Sequence, residues 1–133
     1  MKKEIKQTYK ISAPIEEVWK ALVDPKSIEE WGGGPAKMNE KIGMRFSFWG
    51  GDIYGTNTEV KKPRGGYARL EQDWYGGKWD KPSRVVFALK EDGDDKTVLE
   101  LTHADLPDDE VANFDSGWKD YYLGPIKKWL EDK

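Results

Sequence analysis

At 133 residues the chain has the size of one domain, able to bury roughly two-thirds of the surface that its unfolded form exposes and so to hold a core without staples. It has no cysteine, which excludes disulfides, thiolate metal sites and cysteine nucleophiles, and fits a reducing compartment. Its 22 basic and 25 acidic residues give a formal net charge of -3 with the signs interspersed, so its surface as a whole is not one drawn to phosphate backbones, and no nucleic-acid partner is expected.

The basic start, Met1 to Lys6, is followed by no apolar run, so no signal peptide is expected. No apolar stretch approaches the ~20 residues needed to cross a bilayer; the expectation is a cytoplasmic protein without a membrane partner. Seven Trp, six Tyr and four Phe make 13% of a chain that is also 35% charged. A polar chain that puts its apolar share into large rings predicts a core or cavity lined by aromatics.

Residues 4–11 alternate, with Ile5, Tyr9 and Ile11 on one face and Lys6, Thr8 and Lys10 on the other, which predicts a half-buried strand. Pro14 then opens a helix with Glu16 and Glu17 in its first turn. Ile15, Val18, Trp19, Leu22 and Val23 form its apolar stripe. Asp24-Pro25 reads as the N-cap and first residue of a short second helix ending near Trp31 and stopped by Gly32-Gly33-Gly34-Pro35.

From there to residue 105 the pattern is that of a meander. Met44, Phe46 and Phe48 alternate with Arg45, Ser47 and Trp49 before a Gly50-Gly51-Asp52 turn. The strand from Ile53 to Val60 is closed by Lys62-Pro63-Arg64-Gly65-Gly66. Next, Ala68, Leu70, Gln72 and Trp74 share a face, followed by a Gly76-Gly77 turn. Val85, Phe87 and Leu89 share another, and Leu99, Leu101 and His103 a third. Runs this closely spaced, without helical crossovers, predict an antiparallel sheet, with Arg69 and Arg84 on its solvated face.

In the last segment Val111, Phe114, Trp118, Tyr122, Ile126 and Trp129 recur at steps of three and four, an aromatic stripe on a long helix. Asp108, Asp109 and Glu110 suit its N-terminus; Lys127, Lys128 and Lys133 suit its C-terminal end. Gly124-Pro125 predicts a kink, and Gly117 a close approach beside Trp118.

Few motifs carry chemistry. Gly32-Gly33-Gly34-Pro35 is not a phosphate loop, because no Gly-Lys-Ser/Thr follows it. Asp92-Gly93-Asp94-Asp95 has Thr97 and His103 where a calcium loop needs Gly and Glu, so it reads as a hairpin turn. His103 is the only histidine in the chain and cannot make a multi-histidine metal site; Asp105 lies on the same face and could orient it in an acid–base pair. No signature marks a nucleophile, a metal site or a cofactor.

Two segments carry a family resemblance. One is Gly43-Met44-Arg45-Phe46-Ser47-Phe48-Trp49-Gly50-Gly51-Asp52-Ile53-Tyr54-Gly55, followed by Glu59-Val60 and Pro63. The other is Gly117-Trp118, Tyr121-Tyr122 and Ile126-Lys127. Between them stand Gln72-Asp73-Trp74, Pro82-Ser83 before Val85-Val86-Phe87, and Lys96-Thr97 before Leu99-Glu100-Leu101. The order and spacing resemble the domain at the C-terminus of activators of the 90-kDa heat-shock protein ATPase, of the START-like (SRPBCC) helix-grip superfamily.

That resemblance implies a single α+β helix-grip domain over residues 1–133: a curved antiparallel sheet packed on a long C-terminal helix, with a cavity between them in many members. It implies a non-enzymatic module that binds a chaperone or other protein partner, or a small apolar ligand. Trp74, Phe87, Leu101, His103, Trp118, Tyr122 and Ile126 are the candidate lining of the helix–sheet space, with His103 and the Tyr122 hydroxyl orienting a polar end. The alternative is an enzyme of cyclase or hydrolase type that uses His103 in the same cavity.

Overall fold

The computed structural model describes residues 4–76 and 79–132. Strand β1 (Ile5–Ile11) leads into helices α1 (Ile15–Val23) and α2 (Pro25–Trp31). Strands β2 (Arg45–Phe48), β3 (Ile53–Arg64), β4 (Tyr67–Tyr75), β5 (Ser83–Glu91) and β6 (Thr97–Ala104) follow. The chain closes with α3 (Val111–Gly117), a wide π-type turn over Trp118–Tyr122, and α4 (Leu123–Glu131). The six strands form one antiparallel sheet in the order β1-β6-β5-β4-β3-β2. β1 therefore crosses to pair with β6, while β2 to β6 are a plain meander. This is the α+β architecture expected from the alternation, and the helix grip that the resemblance implies.

The expected faces hold across the sheet. Leu70, Trp74, Val85, Phe87, Leu89, Leu99, Leu101 and His103 are buried on the inner side, where α1 and the C-terminal helix pack. On the outer side Arg69 pairs with Glu59 and Glu71, and Arg84 with Glu71. The hydrogen bond from Arg84, together with its charge, holds the Glu71 carboxyl below the usual range. These pairs lie at the surface, with only Arg84 exposed, and contribute modestly to stability.

Local signals at the two short helices also hold. Asp24 caps α2 by accepting from the Ser27 N–H, Pro25 sits in its first turn, and Gly32 ends it at φ 110. Pro14 occupies the cap position of α1 instead of its first helical residue.

Other details differ from the sequence reading. β3 runs on through Pro63 to Arg64, and only Gly65-Gly66 turn the chain, both at positive φ. Register shifts between Asn57 and Glu59, and again before Arg64, let so long a strand coil. Met44 lies outside β2 and is exposed. The Gly76-Gly77 turn, Lys133 and the Met1–Lys3 start fall wholly or partly outside the described residues.

The C-terminal helix departs from regularity earlier than Gly124-Pro125. Trp118–Tyr122 form the wide turn, and Tyr122 has φ -124 and ψ -80. Two constraints account for it. Pro125 has no N–H to give, so the turn before it cannot close as an α-helix. The buried residues Trp118, Tyr122, Ile126 and Leu130 also recur every four residues, and each such step overshoots an α-helical turn by about 40°. A wide turn absorbs part of that drift and keeps the rings on the sheet. The stripe accordingly ends on buried Leu130, with Trp129 only partly buried.

The two glycines of this helix play opposite parts. A Cβ on Gly124 would lie 1.8 Å from the Lys119 carbonyl oxygen, whereas one on Gly117 would meet nothing within 4 Å. Gly117 thus does not serve a close approach; it leaves open space beside Trp118. Gly124→Ala should cost roughly 1–3 kcal/mol or more, because the wide turn must move. Gly117→Ala should raise stability by about 0.5–1 kcal/mol through helix propensity. Urea unfolding of the two variants checks both signs.

Candidate functional site: an aromatic cleft beside the wide turn

Much of the helix–sheet space is filled by rings. Tyr122 sits at the centre, its ring centroid 4.7 Å from Trp118, 4.8 Å from Trp31, 5.4 Å from Phe48 and 5.9 Å from Phe87. Trp74 stacks obliquely on Trp118 at 4.8 Å. Burial pushes the Tyr122 phenol far above its ordinary pKa, and among the described residues its hydroxyl has no hydrogen-bond partner.

Where the wide turn meets the end of β2, the packing opens into a cleft of about 290 Å³. That is at the small end of ligand pockets, which run about 300–1,000 Å³. Its floor and walls are Trp49, Ile53, Trp74, Phe114, Trp118, Tyr121 and Tyr122, and Asp52, Asn113 and Gly117 complete the lining. The walls are apolar because the indole N–H groups are already used. Trp49 donates to the Gly32 carbonyl, Trp74 to Gln72 Oε1, and Trp118 to His103 Nδ1.

Of the seven candidates read from the sequence, Trp74, Trp118 and Tyr122 line this cleft. Phe87, Leu101, His103 and Ile126 do not; they are buried behind it in the core. Phe87 backs Tyr122, and His103 holds Trp118. The alternation puts Trp49 on the polar side of β2, yet it lies just past the strand at φ 49 and lines the cleft. Backbone strain in a non-glycine residue commonly marks a functional wall. Trp49-Gly50-Gly51-Asp52 is the sequence signal for this corner, since two glycines allow a tight bend that carries a ring inward.

His103 belongs to a buried polar chain. With Trp118 donating to Nδ1 at 3.1 Å, the imidazole carries its proton on Nε2, 2.8 Å from Ser83 Oγ; Ser83 in turn donates to the Trp74 carbonyl. Gln72 links Trp74 to Asn57, which donates to the Asn39 and Lys41 carbonyls. Both ring nitrogens are therefore committed. Asp105 is exposed at φ 62, past the end of β6, and does not share the buried face with His103. Among the described residues no group of three or more His, Asp or Glu is placed to hold a metal ion, and no helix is long and apolar enough to cross a membrane.

A family description, "Activator of Hsp90 ATPase homolog 1-like protein", matches residues 12–131. The chain belongs to that family. An HSP90 activator from Plasmodium falciparum superposes with a TM-score of 0.87 at 24% identity, over 96% of each chain. CalU16 from Micromonospora echinospora does so at 0.78 and 25%, over 98% of this chain and 83% of that one. An Aha1 dimer from Colwellia psychrerythraea gives 0.80 at 19%, over 97% and 96%. An uncharacterized protein of Schizosaccharomyces pombe is 22% identical over 93% of this chain, which spans only 36% of that protein. At family level, this Hsp90-activator-like, START-like fold is that of a partner- or ligand-binding module.

Burial holds the His103 imidazole neutral by lowering its pKa from 6.5 to about 4. The unfolded chain binds this proton and the folded one does not, so the contribution is complete above 6.5 and is lost as pH falls toward 4. Over that window it amounts to about 3 kcal/mol. Urea unfolding from pH 7 to pH 4 should show a smaller loss of stability in His103→Leu than in the parent, and imidazole nitrogen shifts at pH 7 should report the Nε2–H form.

Proposed function

We propose that this protein is a non-enzymatic binding module that takes a small apolar ligand in the cleft between the end of β2 and the wide turn of the C-terminal helix. The observation that carries this is the commitment of the three wall indole N–H groups to protein acceptors, which leaves the cleft an apolar lining. A site of that kind rewards burial of an apolar body and offers few hydrogen bonds. Trp74, Trp118 and Tyr122 act as walls. Phe87, Leu101, His103 and Ile126 act through them, as the packed layer that keeps the walls in place.

Non-catalytic action is supported by the position of His103. An acid–base group must come within hydrogen-bond reach of a substrate proton, and this ring has both nitrogens engaged in the core. A cyclase or hydrolase would need it in the cleft beside a second titratable group.

A second reading is favoured by the likeness to the Plasmodium falciparum HSP90 activator over nearly the full length of both chains: docking on a chaperone of the 90-kDa class. A rise in that chaperone's ATP turnover on adding this protein would support it; unchanged turnover would speak for the ligand alone.

Tryptophan fluorescence titrations with naphthalene-sized neutral probes test the principal reading. The parent should bind, and Gly117→Leu, which projects a side chain into open space at the cleft, should weaken binding about tenfold or more without loss of fold. Equal binding by both proteins, or by neither, would overturn it. Native mass spectrometry of protein purified from its own cell should show a retained small molecule.

A further inference from the structure

We infer that the open edge of β2, with the loop that feeds it, is a docking surface for a partner protein that lays an extended, acidic segment along the strand. This surface is separate from the cleft and does not depend on the ligand-binding reading.

Large apolar side chains are exposed in few places. Among the described residues they are Ile42, Met44, Tyr54, Tyr67 and Tyr121, and the first three gather at this edge. Ile42 is 65% exposed and Met44 46%, in the loop that enters β2. Tyr54 stands opposite Ser47, its ring stacked on that of Tyr75 at 5.1 Å. Single exposed apolar residues are ordinary, but a cluster of Met, Tyr and Arg has the composition of a protein interface.

The loop is held in one shape from below. Buried Asn57 donates through Nδ2 to the Asn39 carbonyl at 2.9 Å and the Lys41 carbonyl at 3.2 Å. Its backbone N–H donates to the Met44 carbonyl, and its carbonyl accepts from the Gly43 N–H. Gly43 makes the bend at φ 83. Ile42 and Met44 are thus presented on a fixed backbone, which lowers the ordering cost when a partner binds.

Backbone and charge define that partner. Ser47 exchanges both of its backbone hydrogen bonds with Lys37, so both groups point away from β3. Arg45, two residues earlier, points the same way, and among the described residues its N–H and C=O have no backbone partner. They offer a donor and an acceptor to an added extended chain. The other edge strand, β1, is tied instead to the C-terminal helix, with Lys127 Nζ on the Lys10 carbonyl and Glu131 on the Ser12 N–H. Lys37, Lys41 and Arg45 are exposed along the β2 edge and form no ion pair among the described residues. The neighbouring carboxylates are engaged: Asp73 accepts from the Thr56 N–H and hydroxyl, and Glu40 from the Trp19 indole while pairing with Lys62. Three cations beside two apolar side chains and an open strand edge call for carboxylates next to apolar residues in an extended segment.

The test selects short random peptides displayed on phage against the protein and titrates the winners by amide NMR. They should carry Asp or Glu beside apolar residues and shift the amides of residues 41–47. Arg45→Glu should weaken their binding about tenfold or more, and Ile42→Ser several-fold. Both positions are exposed, so the amide spectrum of each variant should otherwise match the parent. No enrichment, selected peptides without carboxylates, shifts that fall elsewhere, or equal binding by parent and Arg45→Glu overturns the inference. Two controls separate the other occupants. Binding to phosphatidylserine-containing vesicles that is lost in Ile42→Ser assigns the surface to a membrane, and a dimer that Arg45→Glu dissociates in sedimentation assigns it to a second copy of this chain; either result overturns the inference.

Discussion

The contact between Trp118 and His103 is the constraint on which the rest of the molecule depends. A helix that presents large rings to a sheet can slide or roll, because ring packing is broad and weakly directional. One hydrogen bond from the indole to a buried imidazole removes that freedom. The imidazole is itself immobilised through Ser83 to the backbone of β4, so the position of the helix is referred to three neighbouring strands. Tyr122 then falls between Phe48, Phe87 and Trp31, one wide turn along. Losing the Trp118 ring would cost about 3–5 kcal/mol from its burial alone.

The wide turn shows how a local irregularity serves packing. Buried residues spaced by four along an α-helix spiral away from a flat surface. The chain answers with a π-type turn, bordered by a proline that gives no N–H and a glycine that leaves room for the Lys119 carbonyl. π-type turns occur frequently at functional sites. Here the turn widens the helix where Tyr121 and Tyr122 border the cleft, so the device that holds the rings on the sheet also shapes the mouth of the pocket.

Family membership and geometry answer different questions. The match over residues 12–131 and the superposition on an HSP90 activator give the chain its family and architecture. A helix-grip fold is a scaffold on which the residues at the cavity mouth can vary, so the character of the cleft follows from Trp49, Trp118 and Tyr122 and not from the fold.

The sequence by itself determined much about this protein: the strand alternation that divides Leu70, Phe87, Leu101 and His103 from Arg69 and Arg84, the caps of α2, the aromatic stripe and the family resemblance. These are legible because side-chain periodicity and capping act within a few residues. It also singled out Trp74, Trp118 and Tyr122. What only the tertiary structure decided is which rings face open space and which face one another. Phe87, Leu101, His103 and Ile126 carry the same inward signal as the cleft residues but lie behind them. Trp49 carries an outward signal and yet lines the wall, because a bend at φ 49 ends the alternation one residue past β2. The irregularity is a wide turn ahead of Gly124-Pro125, where the sequence predicts a kink, since a missing N–H is felt by the turn preceding the proline. Alternation reports the side of the sheet on which a residue lies; it carries no information on how far the opposing helix stands off, and that distance separates core from cleft.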